Sequence, residues 1–67
     1  MKNGIVGPDD GFNILVNGEV RTFRDIEAYA YEAAAYLKVR APADLVQVVN
    51  RAQLTTVVVN ADGRLSS

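Results

Sequence analysis

The sequence contains no histidine, no cysteine and no tryptophan among its 67 residues. Without histidine or cysteine, the chain by itself cannot form a Cys/His zinc site, a Ser-His-Asp triad, a Cys-His pair, a haem ligand set or a disulfide. The eight Asp and Glu residues are the only classical acid–base groups. We therefore expect no enzymatic activity and no bound cofactor.

The sequence also lacks a strong excess of charge and a long hydrophobic run. Seven Lys and Arg residues oppose eight Asp and Glu residues, which gives a formal net charge of −1. The chain as a whole therefore has no attraction to nucleic acid or to an anionic membrane. The longest apolar run covers residues 33–37, and the N-terminus has no apolar stretch of the length of a signal-peptide core. These features predict a cytoplasmic protein that does not bind a membrane.

The length predicts one small domain of marginal stability. A chain of this size buries only about 60% of the surface that its unfolded state exposes. Three glycines, one proline and two aspartates among residues 1–11 predict a flexible lead-in. We expect a single domain over residues 12–65 and a tail at 66–67, with self-association as one way to gain stability.

A β-hairpin is predicted by Asn17-Gly18, which lies between two β-type segments, residues 12–16 and 19–23. Both turn residues tolerate the positive φ angles of a two-residue hairpin turn. Such a turn pairs the residues on either side of it and places four apolar side chains on the core face. These are Phe12, Ile14, Val16 and Phe23. A three-residue turn with a bulge is the alternative, and it moves Val20 onto that face and Phe23 off it.

Residues 25–40 are predicted to form a helix that ends before Pro42. Apolar residues recur in this segment at the helical period. The predicted buried stripe consists of Ile26, Tyr29, Ala30, Ala33, Tyr36 and Leu37. Thr22 and Asp25 resemble a capping box at the start of the helix.

Residues 44–52 fit two structures. Leu45, Val48, Val49 and Ala52 have helical spacing, whereas the three valines between residues 45 and 49 favour a strand. Residues 54–59 are strand-like, and the intervening residues have the length of a hairpin connection. We favour a second hairpin. The expected fold is α+β with the order ββαββ, in which one helix packs on one face of an antiparallel sheet of about four strands.

The chain resembles small bacterial domains of unknown function that have a hairpin-helix-hairpin plan. The residues that carry the resemblance are Ile14-Leu15-Val16-Asn17-Gly18, Arg21-Thr22-Phe23, the Ala/Tyr/Glu helix, Val46-x-Val48-Val49 and Asp62-Gly63-Arg64. It covers roughly residues 12–65. The resemblance implies the fold, and it brings no site residues with it.

The acidic residues form neither a catalytic nor a metal-binding pattern. Glu27 and Glu32 lie five positions apart on the predicted helix and therefore do not share a face. Asp9 and Asp10 lie in a glycine-flanked segment, which would hold a cation poorly. We expect no catalytic residue and no metal site.

The leading hypothesis is that the domain acts by association, as a homodimer or as an accessory partner of another protein. Three consecutive valines in a strand, Val57, Val58 and Val59, place apolar side chains on both faces of the sheet. One helix covers only one of those faces. Tyr31 is expected to be exposed on the helix face opposite Ile26 and to extend an apolar patch. Tyr31 and the three valines are the predicted interaction surface.

The alternative hypothesis is a small nucleic-acid-binding module. Arg21 and Arg24 bracket the end of the first hairpin, and Arg51 lies in the proposed second turn. If these regions converged beside an exposed Tyr31, they would form a surface for phosphate binding and base stacking. Acidic residues interleaved among the arginines weaken this alternative.

Overall fold

The fold consists of one helix packed on an antiparallel sheet, in a computed structural model that describes residues 10–62 and 64–66. The elements follow the order ββαβββ, which confirms the predicted α+β class. Their bounds are β1 Phe12–Val16, β2 Glu19–Arg24, α1 Glu27–Arg40, β3 Val46–Asn50, β4 Thr55–Val59 and β5 Leu65–Ser66. Residues 1–9 of the predicted lead-in, which covers residues 1–11, lie outside the described residues.

The sheet has the strand order β2-β1-β3-β4-β5, and every neighbouring pair is antiparallel. Strand β1 therefore lies between β2 and β3, which run in the same direction and are joined by α1. This connection brings the helix back across β1, and α1 contacts mainly β1 and β3. The helix consequently leaves much of β2 uncovered on its own side of the sheet.

The first hairpin has the predicted two-residue turn, with φ angles of +53° at Asn17 and +88° at Gly18. Val16 pairs with Glu19 and Leu15 with Val20, as the two-residue turn requires. A β-bulge beyond these pairs shifts the register by one residue, so that Ile14 pairs with Thr22 instead of Arg21. Arg21 is the extra residue on β2.

The bulge corrects the prediction that Phe23 lies on the core face. Phe23 pairs with Asn13 instead of Phe12, and it therefore lies on the face opposite the helix. The alternative with a bulge correctly moved Phe23 off the core face. It was wrong for Val20, because Val20 pairs with Leu15 and shares its outer face.

The helix begins later than predicted, and the proposed capping box does not form. Strand β2 continues to Arg24, which holds Thr22 in the sheet. Ile26 is the N-cap residue and makes no side-chain capping hydrogen bond. The prediction that residues 44–52 form a strand rather than a helix is confirmed, and β3 and β4 are joined by a turn at residues 51–54.

A fifth strand was not predicted. Leu65 and Ser66 pair with Val59 and Val58, so the predicted tail residue Ser66 belongs to the sheet. Asn60 ties this strand to the preceding turn, because its side-chain amide donates hydrogen bonds to the Arg64 carbonyl and the Ser66 hydroxyl, both at 3.0 Å.

The core lies between α1 and the three central strands. The buried residues of this core are Ile14, Ala30, Ala34, Val46, Val48 and Val59. Two of the six are alanines one helical turn apart, and their small side chains let the helix approach the sheet closely. The helix is thus rotated relative to the predicted stripe: Ile26, Tyr29 and Tyr36 are each at least half exposed.

Candidate functional site

The side of the sheet opposite α1 is formed by alternate residues of each strand. Residues directly opposite each other in an antiparallel pair share a face. The register of the strands therefore identifies which residues lie on this side of the sheet. We call it the open sheet face. Its residues are Asn13, Leu15, Val20, Phe23, Gln47, Val49, Thr56, Val58 and Ser66.

The open sheet face carries no charged strand residue in the part of the chain that the structure describes. Val20 is 60% exposed and Phe23 is 38% exposed, while Leu15, Val49 and Val58 are half-buried against their neighbours. A solvent-facing side of an antiparallel sheet is ordinarily polar. Five large apolar residues with only uncharged polar residues between them are instead typical of a surface that is covered by a partner.

The three valines predicted as an interaction surface divide between the two sides of the sheet. Val57 and Val59 pair with Val48 and Val46, which are core residues, so both face the helix, and Val59 is only 2% exposed. Val58 alone lies on the open sheet face. The prediction that the valine run supplies both faces is confirmed, whereas Val59 is not accessible to a partner in this fold.

Tyr31 is not on an exposed outer face, which corrects its predicted position. It is half-buried and packs against the core, and it lines a cavity together with Val59 of β4 and Leu65 of β5. The rotation of the helix, which buries Ala30 and Ala34, also turns Tyr31 toward the sheet. Burial raises the pKa of the Tyr31 phenol above its usual value, and the nearby carboxylate of Glu27 adds to the increase.

The raised pKa predicts a loss of stability at high pH. Because the folded-state pKa lies above that of the unfolded chain, the neutral phenol contributes stability below pH about 10, and this contribution disappears as pH rises through the folded-state pKa. Ultraviolet titration of tyrosine ionisation should show one group that titrates late and is absent from Tyr31→Phe. In Glu27→Gln this group should titrate at a lower pH than in the wild type. An unchanged titration curve in Tyr31→Phe would contradict the assignment.

The three arginines of the nucleic-acid hypothesis do not share one surface. Arg51 lies over the ring of Phe23, with the guanidinium carbon 5.4 Å from the ring centroid, at a corner of the open sheet face. Arg21 and Arg24 instead line a groove on the helix side of the sheet, between β2 and α1. The convergence that the hypothesis requires is therefore absent for Arg51.

This α1–β2 groove is a feature that the sequence analysis missed. Its volume is about 530 Å³, and its lining residues are Arg21, Thr22, Arg24, Tyr29, Glu32, Ala33, Tyr36 and Leu37. Tyr29 and Tyr36 were assigned to the core because they fit the helical period. Their exposed positions, 55% and 59%, follow from the rotation of the helix. Arg40 holds the Tyr36 ring in place, because its Nη1 donates a 2.7 Å hydrogen bond to the phenol oxygen.

The described residues contain no group of three or more acidic side chains close enough to hold a metal ion. Glu27 and Glu32 lie on the helix surface, and Asp9 is outside the described residues. Helix α1, at 14 residues, is too short to cross a membrane.

Comparisons with known proteins identify no relative: no family model matches the chain, and neither the curated proteins nor the solved structures contain a significant match. The structure itself describes the chain as a small α+β domain with one helix on a sheet, and with two accessible surfaces, the open sheet face and the α1–β2 groove.

Proposed function

We propose that this chain is a small non-catalytic domain that functions by association through its open sheet face, and that two copies pack face to face as a homodimer. The observation that carries the proposal is the composition of that face, whose strand residues include five large apolar side chains and no charged side chain. Removing such side chains from water is favourable by about 25 cal/mol per Å² of apolar area.

Self-association is favoured over an unrelated partner by the lack of charge. In a two-fold symmetric dimer the same surface meets itself, so a charged residue near the axis would face its own copy. None of the strand residues of the open sheet face is charged, and Arg51 lies at a corner of the face, over the ring of Phe23. Two sheets of this kind pack at about 10 Å from each other. An accessory role with another protein requires the same face and is the second version of the proposal.

The edges of the sheet are poor sites for association between copies. Strand β5 has only two residues, and β2 carries a bulge together with the charged residues Glu19, Arg21 and Arg24. Short strands, bulges and charges are the features that prevent pairing of edge strands between identical molecules. The broad face, rather than an edge, is therefore the proposed contact.

The size of the face indicates a weak dimer. Strands about 4.8 Å apart and about 17 Å long give a five-stranded outline of roughly 20 × 17 Å, or about 340 Å². Stable complexes usually bury about 800 Å² per partner. We therefore expect a dissociation constant in the micromolar range or weaker.

Two adjacent threonines of β4 provide a matched test by sedimentation velocity from about 10 µM to about 1 mM protein. Thr56 lies on the open sheet face and Thr55 on the helix side, and both are exposed. Thr56→Arg places a charge in the proposed contact and should weaken dimerisation at least about tenfold. Thr55→Arg adds the same charge and should leave it unchanged.

A wild-type protein that stays monomeric over this whole range would overturn the homodimer, since the face would then be covered by the chain itself or by another protein. Equal effects of the two arginine substitutions would show that net charge, rather than the open sheet face, controls association.

The nucleic-acid alternative depends on Arg21, Arg24 and Arg51 acting together. Arg51 lies across the sheet from the other two, beside Phe23. This observation favours association with protein, and the alternative is not proposed as a second function.

A further inference from the structure

We infer that the α1–β2 groove and the free edge of β2 bind an extended acidic peptide segment, which adds to the sheet as a strand beside β2. This site is separate from the open sheet face, because the groove opens on the helix side of the sheet. The inference is independent of the proposed homodimer.

The backbone of β2 offers the first requirement of such a site. With six residues it is the longest strand, and it lies at the end of the sheet, where β1 is its only partner among the described strands. An edge strand presents N–H and C=O groups that its single partner leaves unpaired. On β2 the bulge at Arg21 interrupts the regular spacing of these groups, and the Phe23 carbonyl accepts a hydrogen bond from Arg24, so an added strand pairs with only part of the edge. Extended peptides bind many domains by pairing with such an edge, and pockets for alternate side chains supply specificity.

The groove supplies the pocket for the alternate side chains. Helix α1 packs mainly over β1 and β3, so the helix-facing side of β2 forms the floor of a groove and the helix forms its wall. Ala33, Leu37 and the rings of Tyr29 and Tyr36 give that wall an apolar surface. A strand added to β2 would direct every second side chain toward this wall, because side chains alternate along a strand.

The charges at the groove select an acidic segment. Arg21 and Arg24 lie on β2, and Glu32 is the single carboxylate among the lining residues. The Arg24 guanidinium uses one nitrogen for hydrogen bonds to the Thr22 hydroxyl and the Phe23 carbonyl, at 2.7 and 2.8 Å. The Arg21 side chain makes no hydrogen bond or ion pair with the described residues. Both guanidinium groups can therefore donate hydrogen bonds to a carboxylate, for which their geometry is well suited.

Two other occupants fit this site less well. A second copy of β2 would bring Arg21 and Arg24 beside their own counterparts, and like charges opposed across strands are destabilising. A nucleic acid has no peptide backbone and would leave the N–H and C=O groups at the edge of β2 unpaired. An acidic peptide satisfies both the backbone edge and the arginines.

The probe for the test is a synthetic peptide with a central segment of alternating valine and threonine and two aspartates at each end. Two-dimensional amide NMR of the full chain should show shifts in β2 and in groove-lining residues of α1, with slower hydrogen exchange at β2 amides. Changing Arg21 and Arg24 together to glutamate should weaken binding at least about tenfold. A control is Arg64→Glu, which reverses one exposed arginine outside the groove, half the charge change of the double variant.

Three further samples distinguish strand addition at β2 from nonspecific attraction between charges and from binding at the open sheet face. A peptide with lysine ends should fail to bind the wild type and should bind the doubly reversed variant. A peptide with proline in its centre should bind poorly, because proline lacks the N–H group that a strand pair requires. The variant Thr56→Arg should bind as the wild type does.

Binding of the aspartate and lysine peptides with equal affinity, or shifts confined to the open sheet face, would overturn the inference. So would shifts in the groove with a mixed single-stranded oligonucleotide but none with the acidic peptide, because the groove would then be a nucleic-acid site.

Discussion

Replacing Ile14 with alanine is expected to lower the free energy of unfolding by about 2 to 5 kcal/mol. Ile14 is fully buried, and it belongs to the cluster that joins Ala30 and Ala34 of α1 to Val48 of β3. The substitution removes three carbon atoms from the centre of a core with six buried residues. Because the helix residues in the same cluster are the alanines Ala30 and Ala34, no large side chain of the helix is available to fill the cavity.

Leu15→Ala is the matched control, because Leu15 is the next residue of β1 and lies on the open sheet face. It should change the stability of the monomer much less and should instead weaken dimerisation. The measurement is urea unfolding at low protein concentration, with sedimentation of the same samples. If Leu15→Ala were as destabilising as Ile14→Ala, the two faces of the sheet would contribute equally to folding, and the assignment of one face to a partner would be contradicted.

Gly11→Ala is expected to have the second-largest effect, a loss of about 2 to 4 kcal/mol. Gly11 has a φ angle of +93°, which disfavours any residue with a Cβ atom. A Cβ atom at this position would also overlap the ring of Phe23. The ring would have to move, and it would lose its contacts with Gly11 and with the guanidinium of Arg51.

Gly18→Ala separates the two causes. Gly18 has a similar φ angle of +88°, but an added Cβ atom would meet nothing within 4 Å. It should therefore show only the backbone cost of about 1 to 2 kcal/mol. Removing the ring with Phe23→Ala should make Gly11→Ala less costly in a double-mutant cycle measured by urea unfolding. Additive effects of the two substitutions would contradict the predicted overlap.

The two faces of the sheet are covered to different extents by the rest of the chain. The helix uses its two buried alanines and Leu37 against one face, and no other described element covers the opposite face. The residues that fold the monomer are thus largely separate from those available to a partner. Substitutions on the open sheet face should consequently test function without unfolding the protein.

Much of the local structure could be predicted from the sequence because it depends on neighbouring residues. Asn17 and Gly18 adopt the positive φ angles of the first turn whatever surrounds them, and the β-branched residues of β3 and β4 favour strands. The helix ends near Pro42 for the same kind of reason. The absence of histidine and cysteine likewise limits the available chemistry without reference to the fold.

The parts that could not be predicted depend on distant residues. The bulge at Arg21 places Phe23 beside Gly11 and Arg51, a contact between three separate segments. Alanines occur on several sides of α1, so the helical period alone does not indicate which side faces the sheet. Close packing on the sheet buries the side that carries Ala30 and Ala34.

The sequence by itself determined the α+β class, the two hairpins and the helix, since each depends on residue type and short-range spacing. Only the tertiary structure decided which side of each element faces the core. That choice depends on packing: the small residues of the helix lie where it meets the sheet most closely, and the tyrosines lie at its margin. The pairing of strands then brought Arg21 and Arg24 into the groove and left Leu15, Val49 and Val58 together on the open sheet face.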